Sequence, residues 1–200
     1  MAKVYFRYGA MGASKSANAL MVAHNYKEQG RQVILMKPAT DTRWAHGEIT
    51  SRAGNMHQKC VLIPANEKIS ALIPEMLLLA GLEAIIIDEA QFLSAKQVEE
   101  LAMIADNYDV TVICYGLKNT SIKGKLFEGS EALLYWADSI EEIKTLCKCC
   151  HKKATQNLRL VGGKPTYGGE VVCIGDTVDS SDAKEVYVPV CRKHYFNPEL

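Results

Sequence analysis

Apolar residues in this chain gather into short unbroken runs that alternate with helical patterns. Val4 to Tyr8 is a β-rich run, and Ala17 to Gln29 carries Leu20, Val22, Ala23 and Tyr26 at helical spacing before Gly30, a residue suited to the position after a helix. Val33 to Met36 reads as a second buried strand that stops at Lys37-Pro38, because proline offers no ladder donor. Strand, helix, strand in this order predicts a βαβ unit and a parallel sheet. Ala84 to Ile87 and Val110 to Tyr115 extend the series as further buried strands, the second closed by Gly116. Ser94 to Tyr108 is amphipathic, with Ser94 as N-cap and Val98, Leu101, Ala102 and Ala105 on one face. Ile69 to Leu79 is helical with a break at Pro74 and an end at Gly81, and Ser130 to Ala137 is a further short helix.

Two stretches escape the pattern. From Thr40 to Gln58 the periodicity fails, and Asp41, Arg43, Trp44, Ser51, Arg52 and Gly54 suggest a polar connection, long enough to be functional. After Cys147, cysteine and histidine recur at short spacing, and glycine and polar residues dominate from Gly162 to Lys184. The reading is an α/β domain over residues 1–144 and a small metal-stapled unit over 145–200 that carries a long loop.

Composition narrows the partners. Lys plus Arg and Asp plus Glu both total 23, so the formal net charge is zero and there is no basic footprint for nucleic acid. No apolar run approaches the roughly 20 residues of a membrane span, and no signal peptide is recognisable, so a soluble cytoplasmic protein is expected. The seven cysteines are odd in number and partly clustered at metal-ligand spacing, which predicts reduced thiols.

Between the first strand and the first helix lies Gly9-Ala10-Met11-Gly12-Ala13-Ser14-Lys15-Ser16. It matches the phosphate-binding loop G-x-x-x-x-G-K-[ST] except at Ser14, which replaces the second glycine. In such a loop backbone N–H groups cradle phosphates, lysine reaches the outer oxygens and the hydroxyl meets Mg²⁺, while the following helix aims its positive end at the anion. Ser14 is expected to be helical or at the helix cap, where its hydroxyl could satisfy an orphan amide.

Asp88 and Glu89 follow the apolar strand Ala84 to Ile87, where a nucleotide-binding sheet presents a carboxylate to Mg²⁺ and where Glu89 could take a proton from a hydroxyl nucleophile. Cys147-x-x-Cys150 and Cys191-x-x-His194 are two ligand pairs whose softness and number suit structural tetrahedral Zn²⁺. Cys149 and His151 are competing ligands by spacing. Cys60, Cys114 and Cys173 read as small buried hydrophobes.

Gly9-Ala10-Met11, Lys15-Ser16, Asp41-Thr42-Arg43, Asp88-Glu89-Ala90-Gln91-Phe92, Cys114 to Leu117, Gly124 to Phe127, the Cys147/Cys150 pair and Val190 to Tyr195 together resemble the bacterial, cellular-type thymidine kinases over nearly the whole chain. The resemblance implies a RecA-like sheet with a zinc-anchored lasso, and transfer of the ATP γ-phosphoryl group to the 5′-hydroxyl of thymidine. It further implies a homotetramer inhibited by dTTP. By position, Gly9 to Ser16, Asp88 and Gln91 would serve ATP and Mg²⁺, Glu89 would be the general base, and Asp41 and Arg43 would lie beside the phosphoryl group. Met11, Phe92, Val171, Val172, Cys173, Ile174, Gly175 and Tyr187 would meet the nucleoside. Anchoring the family pattern at Leu146 and Ala154 points to Cys150 rather than Cys149 as the second zinc ligand.

The chain departs from that pattern at Ser14, over Lys118 to Ile122, and in the lengthened stretch between Gly175 and Tyr187. Two other readings therefore stand beside thymidine phosphorylation: a nucleotide-binding module without catalysis, and a kinase for another deoxynucleoside such as deoxyuridine.

Overall fold

The computed structural model describes residues 1–40, 47–51, 53–168 and 185–198. Its centre is a six-stranded sheet made of β1 (Val4–Tyr8), β2 (Val33–Pro38), β5 (Val61–Ile63), β6 (Ala84–Ile87), β7 (Thr111–Gly116) and β8 (Ser139–Glu142). Their order is β5-β2-β6-β7-β1-β8 and every pairing is parallel, so all the strand ends that could form a site lie on one edge. The four residues of β6 are fully buried, as a central parallel strand covered on both faces must be.

Side-chain alternation divides the core. Met36, Ile85, Ile87, Val112, Cys114 and Phe6 face Val98, Leu101 and Ala105 of α4 (Ala95–Tyr108) and Leu133 of α5 (Glu128–Trp136). Leu35, Ile86, Ile113 and Tyr115 face Ala19, Leu20 and Ala23 of α1 (Lys15–Glu28). Each large aliphatic side chain so buried contributes about 1.5–3 kcal/mol of transfer free energy. The small alanines let α1 lie close to the sheet.

Local signals fix the ends of the helices. Ser94 and Gln97 close a reciprocal capping box on α4, and the Gln97 amide also donates to the carbonyls of Pro64 and Glu67 at 2.9 Å. Pro74 divides the predicted helix over 69–79 into α2 (Ile69–Leu72) and α3 (Glu75–Leu79). The Glu100 carboxylate, on α4, accepts from the backbone N–H groups of Ile69 and Ser70 at 2.6 and 3.1 Å and so caps α2.

The expected featureless connection over 40–58 is corrected in its second half. β3 (Glu48–Ser51) and β4 (Met56–Lys59) form an antiparallel hairpin that covers the α1 face of the sheet. Only Ile49 and Met56 of this hairpin join the core, too few apolar positions for a period to show. β8 shows no apolar period for a related reason: Ser-Ile-Glu-Glu is a polar edge strand. Asp41, Arg43 and Trp44 lie outside the described residues.

A second sheet of β9 (Gln156–Val161), β10 (Lys164–Thr166) and β11 (Glu185–Val190), in the order β10-β9-β11, is antiparallel. With α6 (Arg192–Phe196) it surrounds Leu158, Val190, Tyr195, Cys147 and Cys191. Asn119 donates to Gln156 at 2.9 Å, and the Tyr195 hydroxyl donates to the Ser121 carbonyl at 3.2 Å, so the segment after β7 ties the two sheets together. Val171 to Gly175 lie outside the described residues. No helix among the described residues is long and apolar enough to cross a membrane.

One helix packs against the edge that matters. Gly129, on α5, is so close to the turn after β6 that a Cβ there would fall 2.6 Å from the Ala90 carbonyl oxygen and 2.7 Å from that of Leu93. Both are backbone atoms with little room to move. Gly129→Ala is expected to destabilise the protein by about 1–3 kcal/mol, the usual range for overpacking. A lowered urea midpoint with an unchanged m-value would show it; an unchanged midpoint would contradict the packing.

Candidate active site

The loop from Gly9 to Ser16 leaves the C-terminal end of β1 and runs directly into α1. Gly9 must be glycine for space: a Cβ would lie 2.5 Å from the Ile143 carbonyl oxygen and 2.9 Å from the Ala13 side chain. Gly12 has φ +74°, a left-handed conformation that glycine adopts without strain. The Lys15 ammonium donates to the carbonyls of Gly9 and Ala10 at 3.2 and 2.9 Å, which holds a buried cation against the loop at the helix N-terminus. Ala10, Met11 and Ser16 are partly accessible, and Ala13 is buried beneath them.

Ser14 differs from expectation. It occupies the N-cap of α1, but at φ 57°, ψ 30° its backbone is left-handed and its side chain caps nothing. The hydroxyl therefore does not offset the strain of a left-handed non-glycine residue, which costs about 1–2 kcal/mol. The loop keeps the backbone that a glycine would take. Asn18 answers it, donating through both backbone and side chain to the Ser14 carbonyl at 3.0 Å.

Across the sheet edge, β7 separates β1 from β6, so Asp88 and Glu89 stand one strand away from the loop. Asp88 is buried, and its Oδ1 has no hydrogen-bond partner. Burial first, and then the charge of Glu89, push its carboxyl up to about 7, against the pull of the Ser16 hydroxyl, the Glu89 backbone N–H and the Lys15 cation. A buried carboxylate oxygen without a partner beside a serine hydroxyl is a hard oxygen donor set, which fits Mg²⁺. Glu89 is half-buried at φ 52°. Such strain in a non-glycine residue persists only where surrounding contacts impose it.

Gln91 is buried directly behind Glu89. Its Nε2 donates to Glu89 Oε2 at 2.5 Å, and its Oε1 accepts from the Leu117 backbone N–H at 2.9 Å. Phe92 is half-buried and stacks edge-on against Phe127 at 5.6 Å between centroids. Tyr187 is buried on β11, in register with Arg159 of β9. Val171, Val172, Cys173, Ile174 and Gly175 lie outside the described residues, as do Asp41 and Arg43.

The ligand atoms of Cys147, Cys150, Cys191 and His194 lie within 4.8 Å of one another, and Cys149 and His151 are not among them. Zn–S bonds of about 2.3 Å and Zn–N bonds of about 2.0–2.1 Å at tetrahedral angles imply S···S edges of about 3.8 Å and S···N edges of about 3.5 Å. The Cys150–Cys191 sulfurs are 3.9 Å apart, and His194 Nδ1 is 3.5 Å from the Cys147 sulfur and 3.4 Å from that of Cys191. Burial raises the Cys147 thiol, but hydrogen bonds from the Cys191 and Cys149 backbones, His194 and Cys150 outweigh it and bring it down to about 6. The donor set fits zinc. Cys114, by contrast, is a core residue pushed up by burial to about 12, and Cys60 packs half-buried against the α1 face.

Two positions at this edge, Asn157 and Lys37, lie outside the motifs, and Gly116 lies within one that gave it no role at the site. Asn157, on β9, accepts from the Met11 backbone N–H at 2.8 Å and so anchors the phosphate loop from the second sheet. Lys37 is buried one residue beyond the Met36–Ile87 register pair, level with Asp88. A lysine ending an apolar strand was its available signal. Gly116 accepts from the Gly9 backbone N–H at 3.2 Å, and a Cβ there would fall 2.8 Å from Gln91 Oε1.

Comparison with known proteins bears on the whole chain. A family model described as thymidine kinase matches residues 2–195. Proteins named thymidine kinase from Lactococcus lactis and Streptococcus agalactiae are each 46% identical over 200 residues, with 100% of both chains covered. One from Streptococcus pyogenes is 45% identical over 204 residues, again with full coverage of both. Among solved structures, a Pif1 helicase from Candida albicans aligns with a TM-score of 0.40 at 14% identity, covering 70% of this chain and 36% of that one, a likeness too slight to support an argument. The chain belongs to the thymidine kinase family.

Proposed function

We propose that this chain transfers the γ-phosphoryl group of ATP to the 5′-hydroxyl of thymidine. Family membership supports the substrate pair. The observation that carries the chemistry is the facing of Lys15 and Ser16 by Asp88 and Glu89, brought to one sheet edge by parallel strand order. The loop amides and the N-terminus of α1 bind the phosphates, and Lys15 turns from the Gly9 and Ala10 carbonyls to the outer oxygens. Asp88 and Ser16 hold Mg²⁺, which when bound neutralises charge on the β- and γ-phosphates. Glu89 takes the 5′-hydroxyl proton as that oxygen attacks. Positioning and electrostatics supply most of the acceleration.

The nucleoside lies between Met11 and Phe92 on one side and residues 145–200, acting as a zinc-stapled unit, on the other. Tyr187 and the 171–175 segment close over its base, with Asp41 and Arg43 beside the phosphoryl group. A homotetramer, inhibition by dTTP and a cytoplasmic location complete the reading. The exposed apolar side chains of Met76, Leu79, Met103 and Tyr135 support an assembly.

The purified protein, given ATP, Mg²⁺ and a panel of nucleosides, is expected to convert thymidine to dTMP in preference to the others. ATP binding without turnover on any nucleoside would overturn the proposal. Glu89→Gln should lower kcat by about 10²–10⁴-fold with modest change in either KM, the usual range for a lost general base. Turnover within a few-fold of wild type would remove Glu89 from that role.

Ser14→Gly exchanges left-handed strain for the greater unfolded-state freedom of glycine. The two effects, about 1–2 and 0.5–1 kcal/mol, partly cancel and leave a gain of no more than about 1.5 kcal/mol. Stability should therefore rise at most by that amount and ATP KM change little, and a hundredfold rise in kcat would show instead that serine impairs the loop. Metal analysis should find one zinc per chain, kept by Cys149→Ala and lost by Cys150→Ala. The reverse pattern would exchange the two ligands.

A further inference from the structure

The resemblance places Gln91 with ATP and Mg²⁺, and its amide makes two contacts within the protein. Its Oε1 accepts from the Leu117 backbone N–H at 2.9 Å, and its Nε2 donates to Glu89 Oε2 at 2.5 Å. This orientation is not arbitrary. A backbone N–H can bond only to the amide oxygen, so the –NH₂ end must turn to the carboxylate; the flipped amide would set donor against donor and acceptor against acceptor.

The surroundings leave the side chain little freedom. Gln91 is 2% exposed. The missing side chain at Gly116 makes room for it, since a Cβ there would lie 2.8 Å from Gln91 Oε1 and 3.1 Å from its backbone nitrogen. The Leu117 peptide is itself tethered, because the buried Ser130 hydroxyl on α5 donates to its carbonyl at 2.5 Å. A chain of hydrogen bonds thus runs from α5 through the end of β7 to the Glu89 carboxylate.

We propose that Gln91 is a positioning residue for Glu89, its amide locked by the Leu117 backbone so that it holds the carboxylate in the orientation that accepts the proton. The inference rests on the phosphoryl-transfer reading above and names what keeps its base in place. In the step concerned, the 5′-oxygen forms a bond to the γ-phosphorus, the bond from that phosphorus to the β–γ bridging oxygen breaks, ADP leaves, and the hydroxyl proton passes to Glu89. A base less firmly oriented meets that proton less often, while ground-state binding of ATP and nucleoside is unchanged. Loss of Gln91 therefore acts on kcat and not on KM.

The test is steady-state kinetics of wild type, Gln91→Leu, Gln91→Glu, Glu89→Gln and the double variant Glu89→Gln/Gln91→Leu. ATP, thymidine and Mg²⁺ are each titrated to saturation, and folding is checked by a cooperative melt. Gln91→Glu keeps the acceptor for Leu117 and the side-chain volume but turns a carboxylate oxygen toward Glu89, so it guards against a Leu variant that fails to fold. Both Gln91 variants should lower kcat by about 10–100-fold with KM values and Mg²⁺ half-activation within about threefold, and the double variant should be no slower than Glu89→Gln alone, as for residues that act as a unit. Three results would overturn the proposal: kcat within twofold of wild type, a loss recovered by raising Mg²⁺, or losses that multiply in the double variant. A wild-type protein without turnover overturns the phosphoryl-transfer reading itself and the inference with it, which separates that failure from the other three.

Discussion

The site depends on a place where no side chain is allowed. At Gly116, the last residue of β7, the carbonyl takes the Gly9 N–H of the phosphate loop, while the vacant Cβ position admits the Gln91 amide. The next residue, Leu117, fixes that amide. β7 lies between the strand that launches the loop and the strand that ends in Asp88-Glu89. Its end therefore sets the spacing between the Gly9–Ser16 loop and Glu89. A methyl group at this point would fall 2.8 Å from Gln91 Oε1 and 3.1 Å from the Gln91 backbone nitrogen, and would displace the amide.

Around that junction the sheet supplies low dielectric and fixed direction. Asp88 is buried with an oxygen left unmatched, an arrangement that raises its proton affinity and that a divalent cation would relieve. Glu89 remains partly accessible and is strained, held by contacts to its turn. Two neighbouring carboxylates thus meet different environments, the kind of difference that suits them to the separate roles proposed above. The second sheet enters the same site from the other side, through Asn157 on the Met11 amide and through the segment after β7 that binds Gln156 and Tyr195. The Cys147–Cys150–Cys191–His194 cluster brings the chain before β9 together with the start of α6, where a bound metal would fix the base of the β9–β11 sheet that carries Tyr187.

Much of this was legible from residue order. The runs at Val4 to Tyr8 and Ala84 to Ile87 had to be buried strands, the Ser94–Gln97 pair had to start a helix, and the spacing of Cys147, Cys150, Cys191 and His194 announced a metal site that the geometry supports. What stayed hidden was set by tertiary contact. The left-handed backbone of Ser14 belongs to the point where the loop enters α1 and is not what the propensity of serine predicts. The β3–β4 hairpin has only two residues in the core, and Asn157 looks like any polar residue in a strand until its oxygen is found on the Met11 amide. Gln91 was visible as part of a motif, but the direction of its amide is fixed by Leu117, 26 residues away.

With donor and acceptor sites at one sheet edge, the proposed reaction passes the phosphoryl group directly from ATP to the nucleoside. The stereochemical course at phosphorus tests it most directly. With ATP made chiral at the γ-position by oxygen isotopes and sulfur, a single in-line displacement inverts the configuration in the product. Inversion is the predicted result. Retention would require an even number of displacements and a phosphorylated side chain on the enzyme, and would contradict the direct transfer on which the assigned roles of Lys15, Asp88 and Glu89 depend.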